Sequence, residues 1–419
     1  MVDSITLRRL KDRIDLPARR DNLVKLDFNS EERMLYEIFA KNANDRVKVI
    51  VGQSQSLGGK SYVHILQSIL RLRLICAHGQ DLLGEEDLKV MSGLSKASAI
   101  DLDSDDEDDK PALSSKQAYD MLDLMQETNA DICLQCNHKI GPNDVESEIE
   151  PKDEVIGYLT PCFHIICNAC IENYKAQIDL IFPGQNQINC PTCQQHIRVS
   201  YFPLKQGDID EQVDSRAESK GKGKQTRSER YSGPHTKTKA LIHDLLKSNQ
   251  ESALKPNEPP IKSVVFSGWT SHLDLIQIAL EENGIKYTRL DGKMTRPARG
   301  QALETFREDP SILVILVSIA AGGLGLNLTT ANKVYVMEPQ YNPAAEAQAI
   351  DRVHRLGQKR EVTTVRYIMN DSFEEKMLEL QEKKKKLASL SMDQQKGAGR
   401  MDRSEAARKR LEDLRSLFK

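Results

Sequence analysis

Seven of the chain's eight cysteines fall between Cys133 and Cys193, and they come in pairs. With one histidine the order is Cys133-x2-Cys136, Cys162-x-His164, Cys167-x2-Cys170 and Cys190-x2-Cys193. Two intervening residues let both thiolates of a knuckle reach one metal ion, and Cys-x-His does the same with one imidazole. Four such pairs supply two tetrahedral zinc sites. Clustered pairs of this kind read as metal ligands rather than as a secreted disulfide scaffold, which implies a reducing, intracellular setting. Cys76 stands apart on an apolar helical stretch and reads as a buried thiol.

The rest of the composition sets looser bounds. A length of 419 residues suggests two to three domains. The net charge of −3 favours no polyanionic partner by itself, but it hides segregation. Ile100–Asp109 is almost wholly acidic, Arg216–Arg230 is mainly basic, and Lys383–Lys386 is a basic run. No apolar leader and no run of about 18 apolar residues is seen, so no membrane association is expected.

Patterning divides the chain into six stretches. Residues 1–95 read as helical, with Ser30 as the N-cap of a first helix and a second over Val63–Cys76. Val47–Val51 reads as a short strand before a Gly/Ser loop. Residues 96–130 form an acidic linker, 131–203 the cysteine domain and 204–235 a basic linker. From 236 to 390, helix and strand alternate: strands at Ser263–Phe266, Tyr287–Leu290, Ile312–Val317, Lys333–Met337 and Thr363–Ile368, and helices between them. That alternation implies an α/β fold with a doubly wound parallel sheet. Residues 391–419 read as a helical basic tail.

The cysteine domain resembles a RING finger. The cross-braced RING arrangement implies one zinc on Cys133, Cys136, Cys167 and Cys170, and a second on Cys162, His164, Cys190 and Cys193. RING domains recruit a ubiquitin-conjugating enzyme, and Pro191 fits that use. Gln135 and Gln194 depart from it, because RING ligases commonly carry an aliphatic residue and a cation there. The alternative is a purely structural zinc module, with metal replacing a core too small to fold alone.

In Gln348–Arg360, QAIDRVHRLGQKR, the spacing places Gln348, Arg352 and Arg355 on one helix face. Guanidinium groups stay charged and fork onto phosphate oxygens, so the cluster suits a nucleotide γ-phosphate. This stretch, with SVVFSGWTSHLDLI, YTRLDGKMT and VSIAAGGLGLNLTTANKV, resembles the second RecA-like lobe of Swi/Snf-type, superfamily-2 DNA translocases in their RING-bearing branch. The resemblance implies a helicase C-terminal lobe with Arg352 and Arg355 as arginine fingers beside Gln348. It implies nucleotide contacts at Gly323, Gly325 and Asp351. DNA contacts are implied at Ser267, Trp269, Thr270, His272, Arg296, Arg299 and Tyr341. A nuclear role in DNA repair or chromatin maintenance follows from the same likeness.

ATP and Mg²⁺ need a first lobe with a P-loop. Gly59-Lys60-Ser61 is a near miss, because Ser54 stands where the first P-loop glycine belongs and no strand ending in Asp-Glu follows. The expectation is that these residues hold one half of an ATPase site. Ile100–Asp109 also resembles a SUMO-interacting motif, with Ile100 and Leu102 as a short apolar core; a solvated acidic linker is the alternative.

Overall fold

The computed structural model describes residues 16–53, 59–83, 118–119, 121–122, 125, 131–136, 138, 140, 155–191, 196–205, 231–291, 294–319 and 326–393. In chain order these give β1 (Arg19–Leu26), α1 (Ser30–Gln53), α2 (Gly59–His78) and a 3-10 turn, Gly79–Leu82. Next come β2 (Val155–Leu159), β3 (Ile165–Cys167), α3 (Ile171–Ile181), β4 (Gln187–Asn189), β5 (His196–Arg198) and β6 (Phe202–Lys205). The last stretch holds α4 (Thr236–Ala253), β7 (Ser263–Ser267), α5 (Thr270–Glu282), β8 (Tyr287–Leu290), α6 (Arg296–Glu308), β9 (Val314–Ser318), β10 (Lys333–Val336), α7 (Pro343–Asp351), β11 (Val362–Met369) and α8 (Phe373–Asp393).

The chain forms two compact units: residues 1–32, 76–82 and 227–389, and residues 33–75, 83–226 and 390–419. The first is built on a six-stranded sheet ordered β1-β11-β10-β7-β9-β8, every pairing parallel. Side chains alternate across it as the two-residue strand period demands. Val264, Phe266, Ile315 and Val317 pack on one face with Phe306 of α6 and Ala349 and Ile350 of α7. Val265, Val314, Leu316 and Tyr335 pack on the other with Leu241 and Leu245 of α4 and Leu273 and Ile276 of α5. Burying a side chain of this size stabilises the fold by about 1.5–3 kcal/mol, so two covered faces hold the sheet between helix layers.

The second unit has two small antiparallel sheets, β3-β2-β6 and β4-β5. Ala118, Tyr119, Met121, Leu122 and Met125 are buried, within the stretch expected to be an acidic linker. Tyr119 Oη accepts from Lys205 N at 3.0 Å, so this part of 96–130 belongs to the packed unit. The acidic stretch Ile100–Asp109, the basic stretch Arg216–Arg230 and the tail 394–419 lie outside the described residues.

Three expectations for residues 1–95 are corrected. Arg19–Leu26 is a strand, not part of a helix, and pairs with β11 through eight register positions. Helix α1 runs unbroken through Val47–Val51, because no Gly or Pro interrupts Ser30–Val51. Asn29 caps it rather than Ser30: Glu32 N donates to Asn29 Oδ1 at 2.8 Å and Asn29 N to Glu32 Oε2 at 3.0 Å, a reciprocal capping box. Gly59-Lys60-Ser61 therefore opens α2 after a helix, without the strand that a P-loop requires.

Candidate functional site

Six parallel strands all point one way, so the loops sort into two edges. Asp351 ends α7, and Arg352 is its C-cap at φ −70°, ψ −23°. The single helix face expected for Gln348, Arg352 and Arg355 is therefore not formed. The chain turns away instead, reversing at Gly357 with φ +101°. The buried Gln358 amide holds this turn, donating to Ala331 O at 2.8 Å and Val353 O at 3.2 Å and accepting from Lys359 N and Arg360 N at 2.9 Å each.

The turn is laced onto residues 326–331. Leu328 N donates to Arg352 O at 3.1 Å, and Arg355 Nη1 to Leu326 O at 3.2 Å. Arg360 donates to Thr330 O at 2.6 Å and Pro260 O at 2.9 Å. Arg19, at the start of β1, lies 3.7 Å from Asp351, and His354 Nε2 lies 2.8 Å from Pro17 O. All these partners precede strands, so Arg352, Arg355 and Asp351 stand at the N-terminal edge of the sheet. Gln348 is exposed on α7. Gly323 and Gly325 lie outside the described residues; description resumes at Leu326, whose carbonyl meets Arg355.

The opposite edge carries Ser267, Trp269, Thr270 and His272, at the C-terminal end of β7. Ser267 and His272 are fully buried, and their side chains are spent on Glu338. Ser267 Oγ donates to Glu338 Oε1 at 2.9 Å, Gly268 N to Oε2 at 3.0 Å, and His272 Nδ1 is in contact with Oε1. Burial opposes the Glu338 charge, but His272, Lys237 and the Gly268 N–H hold its carboxyl below the usual range. Lys237 Nζ, also buried, donates to Glu374 Oε1 at 2.5 Å and Met337 O at 2.8 Å. The sequence signal for this network was a glutamate directly after an apolar strand, in MEPQ. Tyr341 is buried with Lys384 Nζ 3.4 Å from its ring centroid, so its ring is covered rather than open to stacking. Trp269, Thr270 and Arg299 are half-buried; the Arg296 side chain lies outside the described residues.

In the second unit the ligand atoms of Cys133, Cys136, Cys167 and Cys170 all lie within 4.8 Å of one another, as do those of Cys162, His164 and Cys190. Cys193 and Gln194 lie outside the described residues. Cys136 Sγ and Cys167 Sγ are 3.6 Å apart, against about 3.8 Å for the edge of a tetrahedron with metal–sulfur bonds of about 2.3 Å. Both donor sets can hold a metal ion of zinc's preferences. Phe163 takes φ +61° between Cys162 and His164, and Thr160 Oγ1 accepts from His164 N at 2.9 Å, which fixes that turn. Burial opposes ionisation of Cys133, but backbone N–H groups of Cys136, Cys167 and Gln135 bring its thiol down to about 7. Cys170 is pushed up to about 12 by its hydrogen bond with Cys167 and then by Cys136. A cluster in which one thiol ionises at its neighbours' expense is a cluster that a cation would relieve.

Residues 240–357 match the family model described as the helicase conserved C-terminal domain. The match takes in β7, β8, β9 and β10 of the parallel sheet. DNA repair protein RAD5 of Gibberella zeae is 31% identical over 455 residues, covering 100% of this chain and 35% of that protein. The helicase-like transcription factor of Homo sapiens is 28% identical over 428 residues, covering 100% of this chain and 37% of that protein. RAD5B of Arabidopsis thaliana is 29% identical over 97% of this chain and 28% of its own length. The chain thus spans about a third of the length of the curated relatives it matches. Among solved structures, the C-terminal part of the Fun30 ATPase domain aligns over 87% of this chain and 89% of that chain, at 18% identity and a TM-score of 0.46. Among the described residues no helix is long and apolar enough to cross a membrane.

Proposed function

We propose that this chain is the C-terminal part of a RING-bearing, Swi/Snf-type ATP-dependent DNA translocase acting in the nucleus in DNA repair or chromatin maintenance. The observation that carries the reading is the lacing of Arg352–Arg360 along residues 326–331 at one edge of a helicase C-terminal lobe. Arg352 and Arg355 are the arginine fingers in this reading. Their guanidinium groups would meet the γ-phosphate of an ATP whose β- and γ-phosphates and Mg²⁺ are cradled by another lobe. Holding Arg355 on a main-chain carbonyl lowers the entropy lost when it reaches the developing charge. DNA would lie at the opposite edge, along the half-buried Trp269, Thr270 and Arg299.

Residues 1–419 alone supply one face of such a site, so purified chain should show no duplex-stimulated ATP hydrolysis. Joined to a P-loop-bearing first lobe of a Swi/Snf-type translocase it should hydrolyse ATP, and R352A or R355A should slow turnover about 10³-fold or more. Hydrolysis by residues 1–419 alone, or full activity in both variants, would overturn the reading.

A second reading, a RING ubiquitin ligase or zinc scaffold, is favoured by the two donor groups in the second unit. Zinc bound there supplies coordination that holds the fold, not a reacting centre. Leu180 and Ile181 are 84% and 57% exposed at the end of α3, an apolar surface suited to a conjugating enzyme. Autoubiquitination with a panel of conjugating enzymes, lost in C162S, tests it; a silent wild type leaves only the scaffold. Binding of SUMO through Ile100–Asp109 remains a proposal of the sequence.

A further inference from the structure

We propose a third divalent-metal site, formed by His78, Asp81 and His235 in the helicase lobe, outside both cysteine groups. The ligand atoms of the three residues lie within 4.8 Å of one another. Asp81 Oδ2 is 3.4 Å from His78 Nδ1 and 3.5 Å from His235 Nε2. Those distances are long for hydrogen bonds but match the edge of about 3.4 Å expected for tetrahedral zinc with nitrogen and oxygen ligands at about 2.0–2.1 Å. His78 is fully buried; its Nδ1 has the long 3.4 Å contact with Asp81, and its Nε2 has no hydrogen-bond partner among the described residues. Leaving a buried polar nitrogen unsatisfied is destabilising, and coordination removes that cost at His78.

The surroundings are those of a supported ligand set. His235 turns its other nitrogen, Nδ1, to Glu32 Oε1 at 3.0 Å, the carboxylate–histidine pairing that orients metal ligands. Glu32 is itself fixed by Thr236 N at 2.9 Å, Thr236 Oγ1 at 2.6 Å and Asn29 N at 3.0 Å. Asp81 accepts from Ser232 N at 3.2 Å and Ser232 Oγ at 3.1 Å, and that hydroxyl lies 3.3 Å from His235 Nε2. Gly79, at φ +59°, makes room: a Cβ there would lie 2.1 Å from His235 Cε1. The fourth position falls to a water.

The placement gives the metal a role. Asp81 and Ser232 stand 151 positions apart in the sequence, where the chain leaves the lobe and where it returns. A metal here staples the base of the whole intervening segment, the cysteine domain included. Borderline imidazole and carboxylate donors favour zinc among the available divalent ions.

The test is metal counting by native mass spectrometry on the full chain, loaded with zinc and desalted. Three zinc ions per wild-type chain are expected, and two in H235Q and D81N, while C162S still retains the third. Co²⁺ loading adds a signature: the third site should give d–d absorption without sulfur-to-metal charge transfer, and that absorption should vanish in H235Q. The emission of Trp269, the single tryptophan, reports whether each variant is folded. If a variant does not fold, the wild type decides alone, by whether zinc raises the thermal midpoint seen at Trp269. No zinc beyond that removed by cysteine substitutions, or three zinc ions in both H235Q and D81N, overturns the proposal; neither outcome bears on the arginine edge.

Discussion

Lys237 shows how much one residue holds at the C-terminal edge. Its ammonium is buried, and it neutralises Glu374 while facing the chain just before Glu338. Burial pushes the Glu374 carboxyl up, and Lys237 opposes that push. Breaking a buried pair by removing one partner typically costs about 3–5 kcal/mol. K237M should therefore lower the unfolding free energy, taken from a urea titration read at Trp269, by that much, and K237M/E374L should recover most of it. A second buried group sets an alkaline limit. Tyr367 Oη donates to Asp244 Oδ2 at 2.6 Å, and burial together with that carboxylate raises its ionisation well above the usual value. A raised folded value means the contribution is complete below the unfolded pKa of about 10 and is lost as pH climbs above it. Y367F should cost about 1–2 kcal/mol at pH 8. It should also lose less further stability than wild type between pH 9 and pH 11, in the same urea titration.

At the scale of elements, Gly357 decides where the arginines point. Its φ of +101° lies in the region that side chains disfavour, although the nearest atom to an added Cβ, Thr329 Oγ1, is 4.0 Å away. The cost of G357A is thus backbone strain without a clash, about 1–2 kcal/mol. It should appear as a lower urea midpoint and, in the two-lobe fusion, as slower ATP turnover. The same element shows what the sequence could and could not reveal. Central strands β7, β9 and β10 are largely apolar runs buried on both faces, and such runs are visible without knowing their neighbours. Strand β1 reads RRDNLVKL, half charged, because an edge strand has one open side. Its partner lies more than 300 positions away, so nothing local marks it. The arginine cluster was legible as chemistry but not as geometry, since helical spacing continued past the point where Gln358 captures the chain. The burial of Ser267 and His272 was hidden for the opposite reason. Polar residues after a strand read as surface until Glu338, 66 positions from His272, is seen to bury them. The cysteine pairs were the most readable, because ligand spacing is local while the cross-bracing is not.

At the scale of the molecule, two units with different sources of stability should fail separately. The lobe rests on apolar packing across a sheet, whereas the second unit pairs short strands around metal donor groups. Removing zinc with a chelator at 25 °C should open residues 131–205 to proteolysis while Trp269 keeps its folded emission. Mass spectrometry of the cleavage products, with emission recorded on the same sample, checks this; concurrent loss of both would refute independent stability.

The entry of the chain into the lobe has a mechanical side. Pro17 and Ala18 are bonded to His354 and Val362, so the segment leading into β1 arrives at the arginine edge. A pivot there stands next to the nucleotide face of the proposed site. The strands carry the far edge about 20 Å from it, at about 3.3 Å per residue. A swing of about 10° about that pivot moves the far edge by about 3.4 Å, one base-pair rise of duplex DNA. With nucleotide at one edge and DNA at the other, as proposed, such a lobe would work as a lever that turns a contact at a phosphate into one step.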